Sequence, residues 1–388
     1  MKNLSQRMER VNTQFFASLD KKIAEMVSSG IDVIRLDIGS PDMPPSPNIL
    51  HALFRSANLP TTHGYNSHMG TSELRCAWST MYENVYQVKL DPEKQILPLL
   101  GSKEGIFHIT QALIDPGDVV LVPDPGYLTY EMAAKFAGGR VYKMPLLPEN
   151  GYLPDLNSIP TKIKHQSKLM WLNYPNNPTS AIVPDPFFGQ VLEFCTRFGI
   201  LVCHDAAYSQ ITFDGYHAPS MLQANYGAEF GLEFNTLSKS HNMAGWRVGA
   251  ALGNNSAIQA LYRVKTQVDS GHFLPIMEAA TEAMTGDQSW LQERNLIYEQ
   301  RRGFIVESLT NLGFEVSLPK ASLYIWCPIP KGIRSNDFAN RILENAHISL
   351  TPGTIFGDHG EGYVRISLTS PIERISQAME RLSKWMVS

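Results

Sequence analysis

The stretch NTLSKSHNMAGWRVG, residues 235–249, holds Lys239 between Ser238 and Ser240 and sets Arg247 eight residues further on, between glycines. A lysine amine becomes a nucleophile when burial or a neighbouring cation lowers its pKa, and an arginine fork matches the oxygens of a phosphate. On its own a Ser-Lys-Ser is ordinarily a solvated turn, so its weight depends on what the rest of the chain brings beside it. Asp205 follows the apolar run ILVCH, with Tyr208 three residues later. Asn177 sits next to Pro178 in NYPNNPTS, after KLMWL; Tyr127 follows VVLVPDPG; Ser102 and Lys103 open a helix after QILPLL. Each has a plain structural reading as a helix cap or a turn residue.

Together they match one chemistry. A helix N-terminus at Ser102 and Lys103 presents free backbone N–H groups and a positive dipole end, which suits a phosphate. Arg247 adds a bidentate clamp to the same oxygens and Ser238 a hydroxyl. A buried carboxylate at Asp205 requires a cation, and a protonated pyridine nitrogen is one. Tyr208 and Asn177 suit a phenolate oxygen, Tyr127 suits the face of an aromatic ring, and Lys239 suits a Schiff-base amine. The ligand that satisfies every group is pyridoxal 5′-phosphate (PLP), and no metal enters the scheme.

The elements that must carry these residues are short apolar runs bounded by turn residues: VVLVPDPG at 119–126, KLMWLNYPNNP at 168–178, ILVCHDAA at 200–207 and AALGNN at 250–255. Between them, Thr129 to Ala137 and Pro186 to Phe198 repeat apolar residues every three or four positions. This alternation predicts an α/β layer with a mostly parallel sheet, whose ligands bind beyond the carboxyl ends of the strands. From about residue 290 the texture changes. One long helical stretch, WLQERNLIYEQRRGFIVESLTNLG, precedes short strands around LYIWCPIP and YVRISLT and a final amphipathic helix, PIERISQAMERLSKWM. The expected division is a large α/β domain over 46–285 and a smaller α+β domain built from 1–45 and 286–388.

Composition narrows the partners. The 388 residues are 18% charged with a formal net charge of −4, which supplies no electrostatic reason for binding nucleic acid or an anionic membrane. Small molecules are the expected partners. Cys76, Cys195, Cys203 and Cys327 are far apart and form no Cys-x-x-Cys, so a reducing, cytoplasmic setting is expected. No run approaches the ~20 apolar residues of a membrane span, and MKNLSQRMERVNTQFFASLDKKIAEM has scattered charges in place of a signal peptide's apolar core.

The ordered set LDIGSPD, GSKEGI, PDPGY, LNYPNNPT, CHDAAYSQITFDGY, MAGWRVG, DSGHF and YVRISLT resembles the class I/II aminotransferases, the fold-type-I PLP enzymes, from end to end. Within them it is most similar to the LL-diaminopimelate aminotransferases. The resemblance implies a large domain with a mostly parallel seven-stranded sheet plus the smaller α+β domain. It implies that Lys239 is the Schiff-base lysine and proton carrier, and that Asp205 keeps the pyridinium protonated. It places Tyr208 and Asn177 on the phenolic oxygen, Tyr127 over the ring, and Ser102, Lys103, Ser238 and Arg247 on the phosphate. Tyr65, in HGYNSHMG, matches a tyrosine that reaches the phosphate from a neighbouring subunit, which implies a homodimer with the active site at the interface. Gly39 and Arg365 match residues that grip the substrate α-carboxylate, with Tyr127 and Asn177 also lining the substrate site.

Several positions depart from the diaminopimelate pattern. Gly-Asp-Pro-Asp is Gly39-Ser40-Pro41-Asp42 here, NPTG becomes Asn177-Pro178-Thr179-Ser180, and PGYP ends in Leu128. Gln14 stands at or near a substrate-facing tyrosine, and Gln267 replaces an asparagine before DSG, both expected at the far end of the substrate pocket. The reaction implied is transfer of an amino group from an L-amino acid, LL-diaminopimelate first, to a 2-oxo acid such as 2-oxoglutarate. Transfer from aspartate, alanine or an aromatic amino acid, and a PLP-dependent β-lyase, are the alternatives, since one electron sink serves them all. A non-enzymatic ligand-sensing domain is the rival from another class. That version carries an N-terminal DNA-binding helix-turn-helix, for which the about 30 residues before LDIGSPD leave little room.

Overall fold

A computed structural model describes residue 5, residue 8 and residues 15–387. Its twelve strands in chain order are β1 (Ile34–Arg35), β2 (Ile96–Leu99), β3 (Val119–Asp124), β4 (Arg140–Pro145), β5 (Ser167–Leu172), β6 (Leu201–Asp205), β7 (Gly231–Thr236), β8 (Gly249–Gly253), β9 (Tyr324–Pro328), β10 (Ile348–Ser349), β11 (Thr351–Pro352) and β12 (Tyr363–Ser367). Seven of them form one sheet in the order β2-β8-β7-β6-β5-β3-β4. Every pairing from β7 to β4 is parallel, whereas β8 is antiparallel to both β2 and β7. Six strands therefore share one direction and β8 alone runs back.

Burial on both faces explains why these strands read as continuous apolar runs, and the pleat still sorts their side chains. Val119 and Leu121 join one core with Trp78, Met170 and Leu172. Val120 and Val122 point the other way, into a core with Ile106, Tyr130, Trp171 and Phe234. Helices Ser102–Leu113, Leu128–Phe136 and Asn255–Lys265 contribute buried residues to the second core, and Pro47–Ala57, Ser72–Tyr86, Phe187–Phe198 and Leu274–Thr285 to the first. Local caps set several helix starts. The Thr71 hydroxyl accepts from Leu74 N at 3.2 Å, and the Asn254 side chain accepts from Ala257 N at 2.7 Å.

A third core gathers Ile34, Leu36, Tyr298, Ile305, Ile325, Val364, Ile366, Ile375 and Leu382. It surrounds the antiparallel sheet β11-β12-β9 and is closed by the long helix Ser289–Asn311 and the final helix Ile372–Met386. The parallel pair β1–β10 ties the segment before residue 40 to this core. Among the described residues no helix is long and apolar enough to cross a membrane.

Candidate active site

All the strands of the large sheet except β8 end at one edge, and the segments that leave them converge there. β2 leads into Gly101, Ser102 and Lys103; β3 into Tyr127; β5 into Asn173 and Asn177; β6 ends in Asp205; β7 leads into the short helix Leu237–Ser240 with Ser238 and Lys239. β8 starts at this edge because it runs backwards, which leaves Arg247 just before it. Gly39 and Tyr208 arrive from loops, and Tyr324 and Arg365 from β9 and β12. Apart from Gly101, these residues line one cavity of about 500 Å³.

Asp205 forms its floor. It is 5% exposed, and Oδ2 accepts a hydrogen bond from the Tyr130 hydroxyl at 2.8 Å. Tyr130 is itself fixed by a parallel stack on Trp171 with ring centroids 5.0 Å apart. Oδ1 is buried and receives no hydrogen bond. Burial pushes the Asp205 carboxyl up to about 6, with Tyr130, His204, the Ala207 amide and Lys239 pulling the other way. A carboxylate held dry with one oxygen unserved is a site for a cationic N–H donor.

Lys239 extends from the β7 end toward Gly39, whose carbonyl accepts from its Nζ. Burial lowers the Lys239 pKa, Arg365 and Arg247 add to this, and Tyr324 and Asp205 oppose it. The balance favours an amine that can lose its proton. Gly39 has no room for a side chain, because a Cβ there would collide with the Tyr324 hydroxyl.

Four donors gather at the helix N-terminus. Arg247 Nη1 donates to Ser238 Oγ at 3.4 Å, and its guanidinium packs over Gly101, directly before Ser102 and Lys103. Partial burial, then the charge of Arg247, lower the Lys103 pKa. Such a cluster of cations, hydroxyl and free amides is built for an oxyanion.

Across the cavity, Arg365 is 4% exposed and lies between two rings, with Tyr324 at 4.0 Å and Phe356 at 4.8 Å from the guanidinium carbon. Nη1 donates to Asn177 Oδ1 at 2.9 Å and Nη2 to the Asp37 carbonyl at 2.8 Å, while Nε is unpartnered. No carboxylate neutralises it among the described residues, so an incoming anion meets an intact positive charge.

Eleven of the sequence-selected residues thus meet in the cavity: Gly39, Ser102, Lys103, Tyr127, Asn177, Asp205, Tyr208, Ser238, Lys239, Arg247 and Arg365. Tyr65 does not. It is 95% exposed and outside the cavity of a single chain. Gln267 is exposed, donates to Thr266 Oγ1 at 3.2 Å and lies away from the cavity; Gln14 is outside the described residues. Tyr324 and Tyr130 were not singled out from sequence, although the Tyr208 and Tyr324 hydroxyls bond each other at 2.8 Å. The position of Tyr130 three residues after Tyr127 was the one available signal for it.

The seven-stranded, mostly parallel sheet is that of a fold-type-I aminotransferase, and the chain belongs to the aminotransferases of class I and II, whose family model matches residues 31–382. It is an enzyme that moves an amino group between an amino acid and a 2-oxo acid. It is similar to the LL-diaminopimelate aminotransferase of Moorella thermoacetica, 46% identical over 380 residues, 98% of this chain and 97% of the relative. The LL-diaminopimelate aminotransferase of Desulforudis audaxviator is 44% identical, covering 97% of this chain and 96% of its own. Among solved structures, substrate-bound BacF from Bacillus subtilis matches with a TM-score of 0.96 at 34% identity, over 99% of this chain and 98% of that one. A mutant aspartate aminotransferase of Thermus thermophilus matches with a TM-score of 0.92 at 28% identity, over 99% of this chain and 100% of that one.

Proposed function

We propose that the cavity binds pyridoxal 5′-phosphate and that the enzyme transfers the amino group of LL-diaminopimelate to 2-oxoglutarate. The observation that carries the cofactor is the buried Asp205 with its unserved Oδ1, facing the same cavity as a lysine of lowered pKa and a four-residue oxyanion cup. When bound, PLP supplies an aldehyde that condenses with amines and a ring that withdraws electrons from the substrate Cα.

The chain's own residues do the rest. Asp205 would hold the ring nitrogen in its protonated form, because a buried carboxylate is stabilised only beside a cation. Ser102, Lys103, Ser238 and Arg247 hold the phosphate, and Tyr127 covers the ring. Tyr208 and Asn177 would serve the phenolic oxygen. Arg365, with the Gly39 backbone and Asn177, seats the substrate α-carboxylate and so orients the Cα–H toward Lys239. Lys239, freed as a neutral amine, would take that proton onto Nζ and release it two atoms from Cα, on the far side of the transferred nitrogen. The separate core around β9 and β12 supports a large domain over 46–285 and a small one from 1–45 and 286–388. The exposed Tyr65 supports a homodimer in which it completes the neighbouring site. The full-length similarity to named LL-diaminopimelate aminotransferases supports the substrate.

A donor screen tests this. LL-diaminopimelate, glutamate, aspartate, alanine and phenylalanine are offered to the holoenzyme, and loss of the cofactor's aldehyde absorbance is followed. LL-diaminopimelate is expected to show the highest kcat/KM with 2-oxoglutarate as acceptor. A faster rival donor would overturn the substrate; pyruvate and ammonia without amine transfer would make the enzyme a lyase. Borohydride reduction should fix the cofactor on Lys239, and Lys239→Ala should abolish turnover while the protein still folds. Label on another residue would remove Lys239 from its role.

A further inference from the structure

Behind Lys239, on the side away from the cavity, lies a buried cation with no acid to balance it. Arg294, on the first turns of the helix Ser289–Asn311, is 3% exposed. Among the described residues no carboxylate lies within ion-pair distance of it, and its neighbours are the ring of Trp290, Tyr298, a buried neutral His241 and Asn295. Burying an unpaired guanidinium is costly, so the groups that hold it must be placed for it. They are backbone carbonyls from two different segments and the side-chain oxygen of Asn295. Nη1 donates to the carbonyl of Ser240 and, at 3.5 Å, to that of Lys239; Nη2 donates to the carbonyl of Gln210 at 2.9 Å and to Asn295 Oδ1 at 2.7 Å. Asn295 in turn donates to the Gln210 carbonyl at 3.1 Å, which orients the fork.

We infer that Arg294 is a positioning residue for the transfer reaction: its planar fork bolts the backbone of Lys239 and Ser240 to the turn that carries Tyr208, and both to the long helix of the third core. Lys239 and Tyr208 serve the same ring from different strands, β7 and β6, and no described side-chain bond joins them directly. The pairing of β6 with β7 ends at Asp205 and Phe234, with Ala206 N still bonded to the Phe234 carbonyl. Beyond it Arg294 joins the two departing segments, since a single rigid guanidinium contacts the backbone of Lys239 at one nitrogen and the residue two beyond Tyr208 at the other. An ammonium at the same point carries the charge but cannot make both sets of bonds in one plane.

The inference rests on Lys239 being the reactive amine, so the test separates the two. Arg294→Met and Arg294→Lys are compared with wild type in steady-state kinetics of the holoenzyme. In the cofactor-free enzyme, the pH dependence of Lys239 acetylation by an active ester is read by peptide mass spectrometry. The groups that face the Lys239 amine there are Asp205, Tyr324, Arg247 and Arg365. Loss of the fork is expected to lower kcat about 100-fold in both variants with little change in KM, the scale of a misplaced reacting group. Arg294→Met is expected to slow Lys239 acetylation near pH 8 by roughly three- to tenfold, as the amine relaxes toward an ordinary lysine, with Arg294→Lys in between. Folded variants with wild-type kcat and an unchanged acetylation profile overturn the inference. If neither variant folds, Asn295→Ala carries the test: a kcat lowered at constant KM supports the fork, and wild-type kcat refutes it. Failure of Lys239→Ala to abolish turnover would instead strike the reading of Lys239 itself.

Discussion

At the scale of single residues, Asp205 can be interrogated without any ligand. Burial lifts its carboxyl from 3.8 to about 6, so the folded, cofactor-free protein holds this proton more tightly than the unfolded chain does. Stabilisation from the group is therefore complete below about pH 4 and is lost as pH rises through about 6. At pH 8 the buried charge costs on the order of 3 kcal/mol, at 1.36 kcal/mol per pH unit between the two values. Asp205→Asn keeps the shape and the acceptor for Tyr130 but removes the charge. The cofactor-free variant is therefore expected to melt above cofactor-free wild type at pH 8, with the gap closing toward pH 4. With PLP bound, wild type is expected to gain more than the variant, because the ring proton then pairs with the carboxylate. Melting curves across pH decide it; a cofactor-free variant no more stable than wild type at pH 8 would sink the account of Asp205 as a carboxylate waiting for a cation.

At the scale of elements, the oxyanion cup depends on one turn between β2 and the helix Ser102–Leu113. Gly101 adopts φ +83°, a conformation side chains rarely take, and a Cβ there would strike Arg247 Nη2. Gly101→Ala is expected to displace the arginine fork and weaken PLP binding about 10- to 100-fold, the loss of one hydrogen bond to a charged group. Turnover should return at saturating cofactor. Fluorescence titration with PLP measures it, and an affinity equal to wild type would show that the fork does not need this turn. The ends of β2, β3, β5 and β6 were legible in the sequence because strands covered on both faces read as apolar runs, and the candidate site residues sit just past them. The reversal of β8 was not, since AALG carries no mark of direction. Strands β1, β10 and β11 have two residues each, too few for a period to show. Tyr324 and Arg294 escaped because their meaning lies in contacts 116 and 54 residues away along the chain, with Tyr208 and Ser240. Such pairings arise from packing, and no local pattern announces them.

At the scale of the whole molecule, the exposed Tyr65 calls for a second surface. A tyrosine that is 95% exposed spends a large amphipathic ring on solvent unless a partner receives it. His63, two residues before Tyr65, meets Phe273 of the DSGHF turn with ring centroids 5.4 Å apart, and His272 of that turn bonds the Arg247 carbonyl at 2.8 Å. Through this turn the Tyr65 segment is linked to Arg247, and the proposed two-fold partner is the surface that would receive the exposed ring. Complementation between two dead subunits distinguishes that arrangement from a role in the same chain. One subunit carries Lys239→Ala with Tyr65 intact; the other carries Tyr65→Ala with Lys239 intact. If Tyr65 serves across the interface, a hybrid dimer has one site with both residues native and the other with neither. Tagged, purified hybrids are then expected to recover about half the turnover of a wild-type dimer at limiting PLP, one site of two. If Tyr65 serves its own chain, each site of the hybrid keeps one defect and no recovery occurs beyond the sum of the parents. The two outcomes differ by the full activity of a site, and the second would dissolve the interfacial active site while leaving the chemistry at Lys239 untouched.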